Sequence, residues 1–312
     1  MNMRNCYVLI LLLGINFSCN PSNSNLPAVA FLDFIEDPTV QLARKGFFEA
    51  LDQNGFSEEE NTIRVYYANA HGDIPTLGQS CDYLLSQKPD LLATNVTLST
   101  ITAVNKTGKV PIFMMVSPRP DIAGLSSVDN TYPPNLFGVY ETLEYIDSSV
   151  MIIKTIHSQL KTMGTLYNQA EPQSRIALER LEQQAQKEGI QIIPMPVSNS
   201  SETQLVVQSL LQQKPDAFFA LPDNVIFASF ESIVQECRKQ KIPIFTSEAG
   251  LVERGAIASY GADFYEWGFQ SGLQAAQYLK EKHTRNLKPE LVKIRKLKMN
   301  KVLCKEYNLI CN

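Results

Sequence analysis

Hydrophobic and polar positions alternate in blocks along this chain, and the blocks come twice. Val29 to Phe34 is a short apolar run that reads as a buried strand. After it, Val40, Ala43, Phe47 and Leu51 fall on one helical face, and Asn54-Gly55 closes that helix. Strand, helix, strand and strand are predicted at Ile63–Tyr67, Ile74–Leu85, Asp90–Ala93 and Pro111–Met115. The second half predicts strands at Thr165–Tyr167, Ile190–Met195, Ala217–Leu221 and Ile244–Phe245. Its helices are predicted at Ser174–Glu188, Glu202–Leu211 and Ala228–Gln240.

Two motifs make the duplication explicit. Leu84-Leu85-Ser86-Gln87-Lys88-Pro89-Asp90 recurs as Leu210-Leu211-Gln212-Gln213-Lys214-Pro215-Asp216. Lys109-Val110-Pro111-Ile112-Phe113 recurs, in the same order, as Lys241-Ile242-Pro243-Ile244-Phe245. Strands alternating with long helices mean parallel sheets with right-handed crossovers. The fold class is therefore α/β, with two doubly wound parallel-sheet lobes joined by a hinge. The N-terminal lobe spans 27–139 and takes back a returning helix at about 262–285. The C-terminal lobe spans 140–260, with about 290–312 crossing back to it.

The first residues stand apart from this pattern. Arg4 followed by the apolar run Tyr7 to Ile15 has the length of a signal-peptide core and is too short to span a bilayer. Ser18 before Cys19 fits a lipoprotein cleavage site, with 1–18 as signal peptide, Cys19 as lipid anchor and 19–26 as tether. An ordinary cleaved signal with a free Cys19 is the alternative. Export places the chain in the periplasm or on the outer face of the cell membrane. There Cys304 and Cys311 have the option of closing a small loop, while Cys81 and Cys237 read as buried thiols.

Composition narrows the function. A formal net charge of −4 and no basic stripe leave nothing to attract nucleic acid. No nucleophile elbow, P-loop or dinucleotide fingerprint occurs, and no cysteine or histidine spacing suits a metal. The reading is a binding protein with no cofactor, not an enzyme. Open parallel sheets bind beyond the carboxyl ends of their strands. Those positions hold Glu36, Thr97, Ser99 and Ser117 in the first half, and Asn168, Ser174, Asp223, Asn224 and Glu248 in the second. Hydroxyls at a helix start suit a carboxylate, and Glu36, Asp223 and Glu248 suit an ammonium group, so the expected ligand is an amino acid or similar zwitterion. Thr97, Ser99 and Ser174 equally fit helix N-caps, Asp223-Asn224 a turn, and Glu36-Asp37-Pro38 a helix start.

Several segments carry a family likeness. Ala43-Arg44-Lys45-Gly46-Phe47, Tyr67-Ala68-Asn69-Ala70-His71-Gly72-Asp73, Leu166-Tyr167-Asn168, Val197-Ser198-Asn199-Ser200-Ser201-Glu202, Pro222-Asp223-Asn224 and Ser247-Glu248-Ala249-Gly250 resemble the TrpX-like substrate-binding lipoproteins of ABC importers. The resemblance runs from about Val29 to the end. It implies a type I periplasmic-binding-protein fold with three hinge crossings, closure on a ligand, and delivery to ABC permease and ATPase subunits. Some members bind aromatic amino acids. A ligand-sensing lipoprotein of the same fold without a transport role is the alternative. The chain departs from the family at Ser117-Pro118-Arg119-Pro120-Asp121, where the acid is displaced, and at Tyr140-Glu141.

Overall fold

The structure, a computed structural model, describes residues 26–126 and 131–311. Residues 1–18, Cys19 and nearly all of the 19–26 tether lie outside the described residues.

The chain builds two six-stranded sheets. The first half runs β1 (Ala28–Asp33), α1 (Pro38–Asp52), β2 (Arg64–Asn69), α2 (Ile74–Ser86), β3 (Leu91–Asn95), α3 (Thr97–Lys106), β4 (Ile112–Met115) and β5 (Leu136–Tyr140). The second runs α4 (Tyr145–Ile156), β6 (Thr162–Tyr167), α5 (Pro172–Lys187), β7 (Gln191–Pro196), α6 (Thr203–Leu211), β8 (Ala217–Ala220), α7 (Asn224–Ala228), α8 (Phe230–Lys239), β9 (Ile244–Thr246), α9 (Ala249–Arg254) and β10 (Ala258–Ala262). Then follow α10 (Phe264–Glu281), β11 (Glu290–Leu291), β12 (Arg295–Met299) and α11 (Lys301–Glu306). The strand orders are β2-β1-β3-β4-β5-β11 and β7-β6-β8-β9-β10-β12. Both are doubly wound, with the switch point beside the first strand of each half. Only the β10–β12 pairing is antiparallel.

The repeated Lys-Pro-Asp motif has a physical cause. Lys88 and Lys214 both take φ 53°, turning the chain out of the preceding helix. The aspartate then ties down the neighbouring strand: Asp90 Oδ2 accepts from Ala28 N at 2.7 Å, and Asp216 Oδ2 from Thr162 N at 2.8 Å. Proline between them stops the helix from continuing. The helix predicted over Ala228–Gln240 runs from Phe230 to Lys239, set off from the short α7 at Ser229, whose hydroxyl bonds Val225 O and Thr203 Oγ1.

The chain crosses between sheets after β5, after β10 and between β11 and β12. Glu290–Leu291 still pairs with β5 in the first sheet, and only β12 and α11 lie with the second. Helix α10 returns to the first lobe, where Gly46 and Gly268 let it touch α1. A Cβ on Gly268 would sit 1.8 Å from Ala43 O, and one on Gly46 2.0 Å from Tyr265 O. The departure at Glu141 becomes a hinge clamp. This buried carboxylate takes a two-pronged bond from Arg295, with Nε at 2.9 Å and Nη2 at 2.5 Å. Lys296 reaches Asp263 at 3.2 Å and Glu266 at 3.0 Å, so β12 fastens both other crossings.

Candidate functional site

The carboxyl ends of both sheets meet across a cleft that holds a small cavity of about 30 Å³ beside the hinge. The first lobe contributes Val96, Thr97, Val116, Ser117 and Pro118. The second contributes Gln173, Pro222, Asn224, Phe227 and Glu248, and the hinge side Leu143, Tyr145, Phe264 and Trp267.

Helix α3 opens onto this space unusually. Val96, its N-cap residue, makes no side-chain cap, so the first-turn N–H groups lack partners within the helix. Val96 adopts φ 68° and Val116 φ 49°, conformations that cost a β-branched residue free energy. Both strained residues line the cavity.

Glu248 supplies the charge. It is fully buried at the end of β9, with Oε1 taking bonds from Ser247 Oγ at 3.0 Å and Tyr145 OH at 3.3 Å. Its other oxygen, Oε2, has no partner. Burial pushes this carboxyl up to about 8. Glu248 is the one charged residue among the described residues lining the cavity. Below about 8 the unliganded group holds its proton, and a cationic ligand group brought beside Oε2 would favour the ionised form. The wall opposite the charge is aromatic. Phe227 of α7 meets Phe264 edge-on at 5.9 Å, and Phe264 meets Trp267 at 5.8 Å, so the ladder spans both lobes. Trp267, the single tryptophan, is fixed by its indole N–H donating to Val139 O at 2.8 Å.

The residues expected from the sequence divide accordingly. Thr97, Ser117, Asn224 and Glu248 line the hinge-side cavity. Glu36 and Asn168 do not; they line an outer cavity of about 300 Å³ between the lobes, which Asn224 also borders. Ser99 is buried away from both cavities. Asp223 and Ser174 hold the second lobe together instead of facing a ligand. Asp223 Oδ1 caps α7 through Val225 N and Ile226 N, its Oδ2 accepts from Asn168 N at 2.8 Å, and Ser174 Oγ accepts from the same N–H at 3.0 Å. Sequence reasoning missed Gln173, Tyr145, Phe227, Phe264 and Trp267. The signal for the rings was present, since Phe264 and Trp267 open the returning helix at a hinge crossing. Among the described residues no cluster of His, Cys, Asp and Glu is arranged to hold a metal.

With that geometry in place, known proteins offer comparison. The sequence matches the family of ABC transporter substrate binding proteins over residues 28–312. It is 31% identical over 274 residues to a tyrosine-binding protein of Clostridioides difficile (strain R20291), covering 86% of this chain and 79% of that protein. The fold superposes on an ABC domain from Streptococcus pneumoniae in complex with L-Trp with a TM-score of 0.83, 24% identity, and coverage of 91% and 95% of the two chains. It superposes on the ligand-free, open structure of a Clostridium difficile substrate-binding protein with adhesive properties with a TM-score of 0.67, 26% identity, and coverage of 92% and 96%. The lower score against an open structure accords with the shut cleft seen here.

Proposed function

The chain belongs to the family of ABC transporter substrate-binding proteins, and from that premise we propose that it captures an aromatic L-amino acid between its lobes for an importer. The observation that carries this reading is the unpartnered Oε2 of buried Glu248 in a cavity with no cation. An α-ammonium group answers that charge. The uncapped start of α3, with the Thr97 hydroxyl, offers N–H and O–H donors to the α-carboxylate. Phe227, Phe264 and Trp267 then bracket an aromatic side chain. A relative that binds tyrosine and a structural neighbour that holds L-Trp support the same class.

Membership of the family supports a transport role, in which the loaded chain would hand its ligand to a permease driven by ATPase subunits. Signal cleavage before Cys19 and lipidation there would hold it at the outer membrane face. The Cys304–Cys311 disulfide supports an exported location, since such bonds persist in oxidising compartments.

A thermal-shift screen of residues 20–312 against amino acids, sugars and nucleosides tests the ligand class. An aromatic L-amino acid at a hundred times its dissociation constant should add about 2.7 kcal/mol of stability. A shift with sugars or nucleosides alone contradicts the reading.

A further inference from the structure

The cavity presents a second buried acceptor besides Glu248. Gln173, in the first turn of α5, is 6% exposed, and its Oε1 has no hydrogen-bond partner. The amide cannot turn to relieve this. Its Nε2 donates to Glu171 Oε2, and the same oxygen accepts from Asn224 N at 3.2 Å and Asn224 Nδ2 at 3.0 Å. Three donors converge on that oxygen, which therefore serves as an acceptor, while burial and then the nearby Asp223 carboxylate raise the Glu171 carboxyl above its ordinary value. A flipped Gln173 would set oxygen against oxygen. Glu171 thus fixes the polarity of the amide, leaving an unpaired acceptor on a residue that lines the cavity.

The two free acceptors belong to different ends of the site. Gln173 follows β6 and Glu248 follows β9, with β8 between them in the sheet. They therefore approach the cavity from strands that are not neighbours. One ammonium group satisfies Glu248; Gln173 requires a donor elsewhere on the ligand. We infer that Gln173 makes the site selective for aromatic amino acids whose side chain carries a hydrogen-bond donor, the tyrosine phenol or the tryptophan indole, over phenylalanine. This rests on the amino-acid reading of the cleft and deepens it. A buried acceptor left unpaired by phenylalanine is the source of the discrimination.

Calorimetric titration of residues 20–312 with L-tyrosine, L-tryptophan and L-phenylalanine tests the inference on unaltered protein. The better of the two donor-bearing ligands should bind at least about tenfold tighter than phenylalanine. Gln173→Met, which keeps length and removes the acceptor, should bring the ligands within about threefold by weakening tyrosine and tryptophan while sparing phenylalanine. Equal affinity of the unaltered protein for all three overturns the inference. So does a variant that weakens all three alike, since Gln173 would then serve the shared ammonium group. If none of the three binds, the amino-acid reading itself falls, and this inference with it.

Discussion

Arg254 of the second lobe places Nη1 2.7 Å from Oδ2 of Asp37 in the first, joining residues 217 positions apart across the mouth of the cleft. The rest of the guanidinium is committed within its own lobe. Nε and Nη2 fork onto Glu231 at 2.8 and 2.9 Å, Nη2 also reaches Phe227 O at 2.9 Å, and the group lies over Phe230 at 5.4 Å from the ring centroid. Asp37 is equally prepared, because its Oδ1 caps α1 through Thr39 N and Val40 N. Each lobe therefore holds one half of a latch in position before closure.

Asp37→Asn should weaken ligand binding by about tenfold, about 1.4 kcal/mol, while leaving the fold intact. Asparagine caps a helix as well as aspartate does but brings no charge to Arg254. With the two groups only 1% and 13% exposed, salt should screen the pair little. Stopped-flow measurement should find the loss in the dissociation rate, since the contact forms only when the lobes are shut. An unchanged dissociation rate would remove the latch from the account.

Closure also depends on Gly250. A Cβ there would lie 2.3 Å from Thr39 Cγ2 on the facing lobe. Gly250→Ala should prop the lobes apart, weakening binding with little change in the melting temperature of the unliganded protein. Adding Thr39→Ser removes the tightest contact, the methyl, but keeps the hydroxyl that Arg254 meets at 3.0 Å and that would lie 2.9 Å from the new Cβ, so it should restore affinity in part. Failure of that rescue would point to a cause within the second lobe alone.

Glu248 sets a pH dependence whose sign is fixed. Its folded-state value of about 8 stands above the ordinary 4.5, so between those values the folded chain holds the extra proton. Stability of the unliganded protein should fall as pH rises through that window, and Glu248→Gln should remove this part of the slope. The groups facing Glu248 are Tyr145, Ser247 and, through space, Glu141, whose own charge Arg295 matches. Because an ammonium ligand pairs with the ionised carboxylate, affinity should rise with pH below about 8, by up to about tenfold per unit. Calorimetry from pH 6 to 8 that found no slope, or the opposite one, would contradict this role.

Asp223 is a cap and not a ligand contact. Asp223→Ala should cost about 1–2 kcal/mol and lower the melting temperature by several degrees, because it frees the N–H groups of Val225 and Ile226 and removes one of the two acceptors of the Asn168 N–H. A variant that melts normally yet loses its ligand would return Asp223 to the site.

The sequence made some of this visible and hid the rest for physical reasons. Periodicity located the strands because buried parallel strands are short apolar runs, and the doubled Lys-Pro-Asp motif marked equivalent turns. Strand-end positions then yielded Thr97, Ser117, Asn224 and Glu248, since the winding of the sheet puts those ends on one side. Whether an acid at such a place faces the ligand or its own backbone is decided by side-chain direction, and for Asp223 the backbone won. Phe264 and Trp267 fall within the returning helix expected at about 262–285, whose pattern does not reveal that its first turn lines the cavity. The Arg254–Asp37 pair depends on how far the lobes close, a rigid-body quantity that no local pattern encodes.

The central claim is tested most directly by a crystal structure of residues 20–312 grown with the tightest-binding aromatic L-amino acid. The account predicts the ligand in the hinge-side cavity, its ammonium group within hydrogen-bond distance of Glu248 Oε2 and its carboxylate at the start of α3 beside Thr97. A ligand bound outside that cavity, or one that turns its carboxylate toward Glu248, would contradict it.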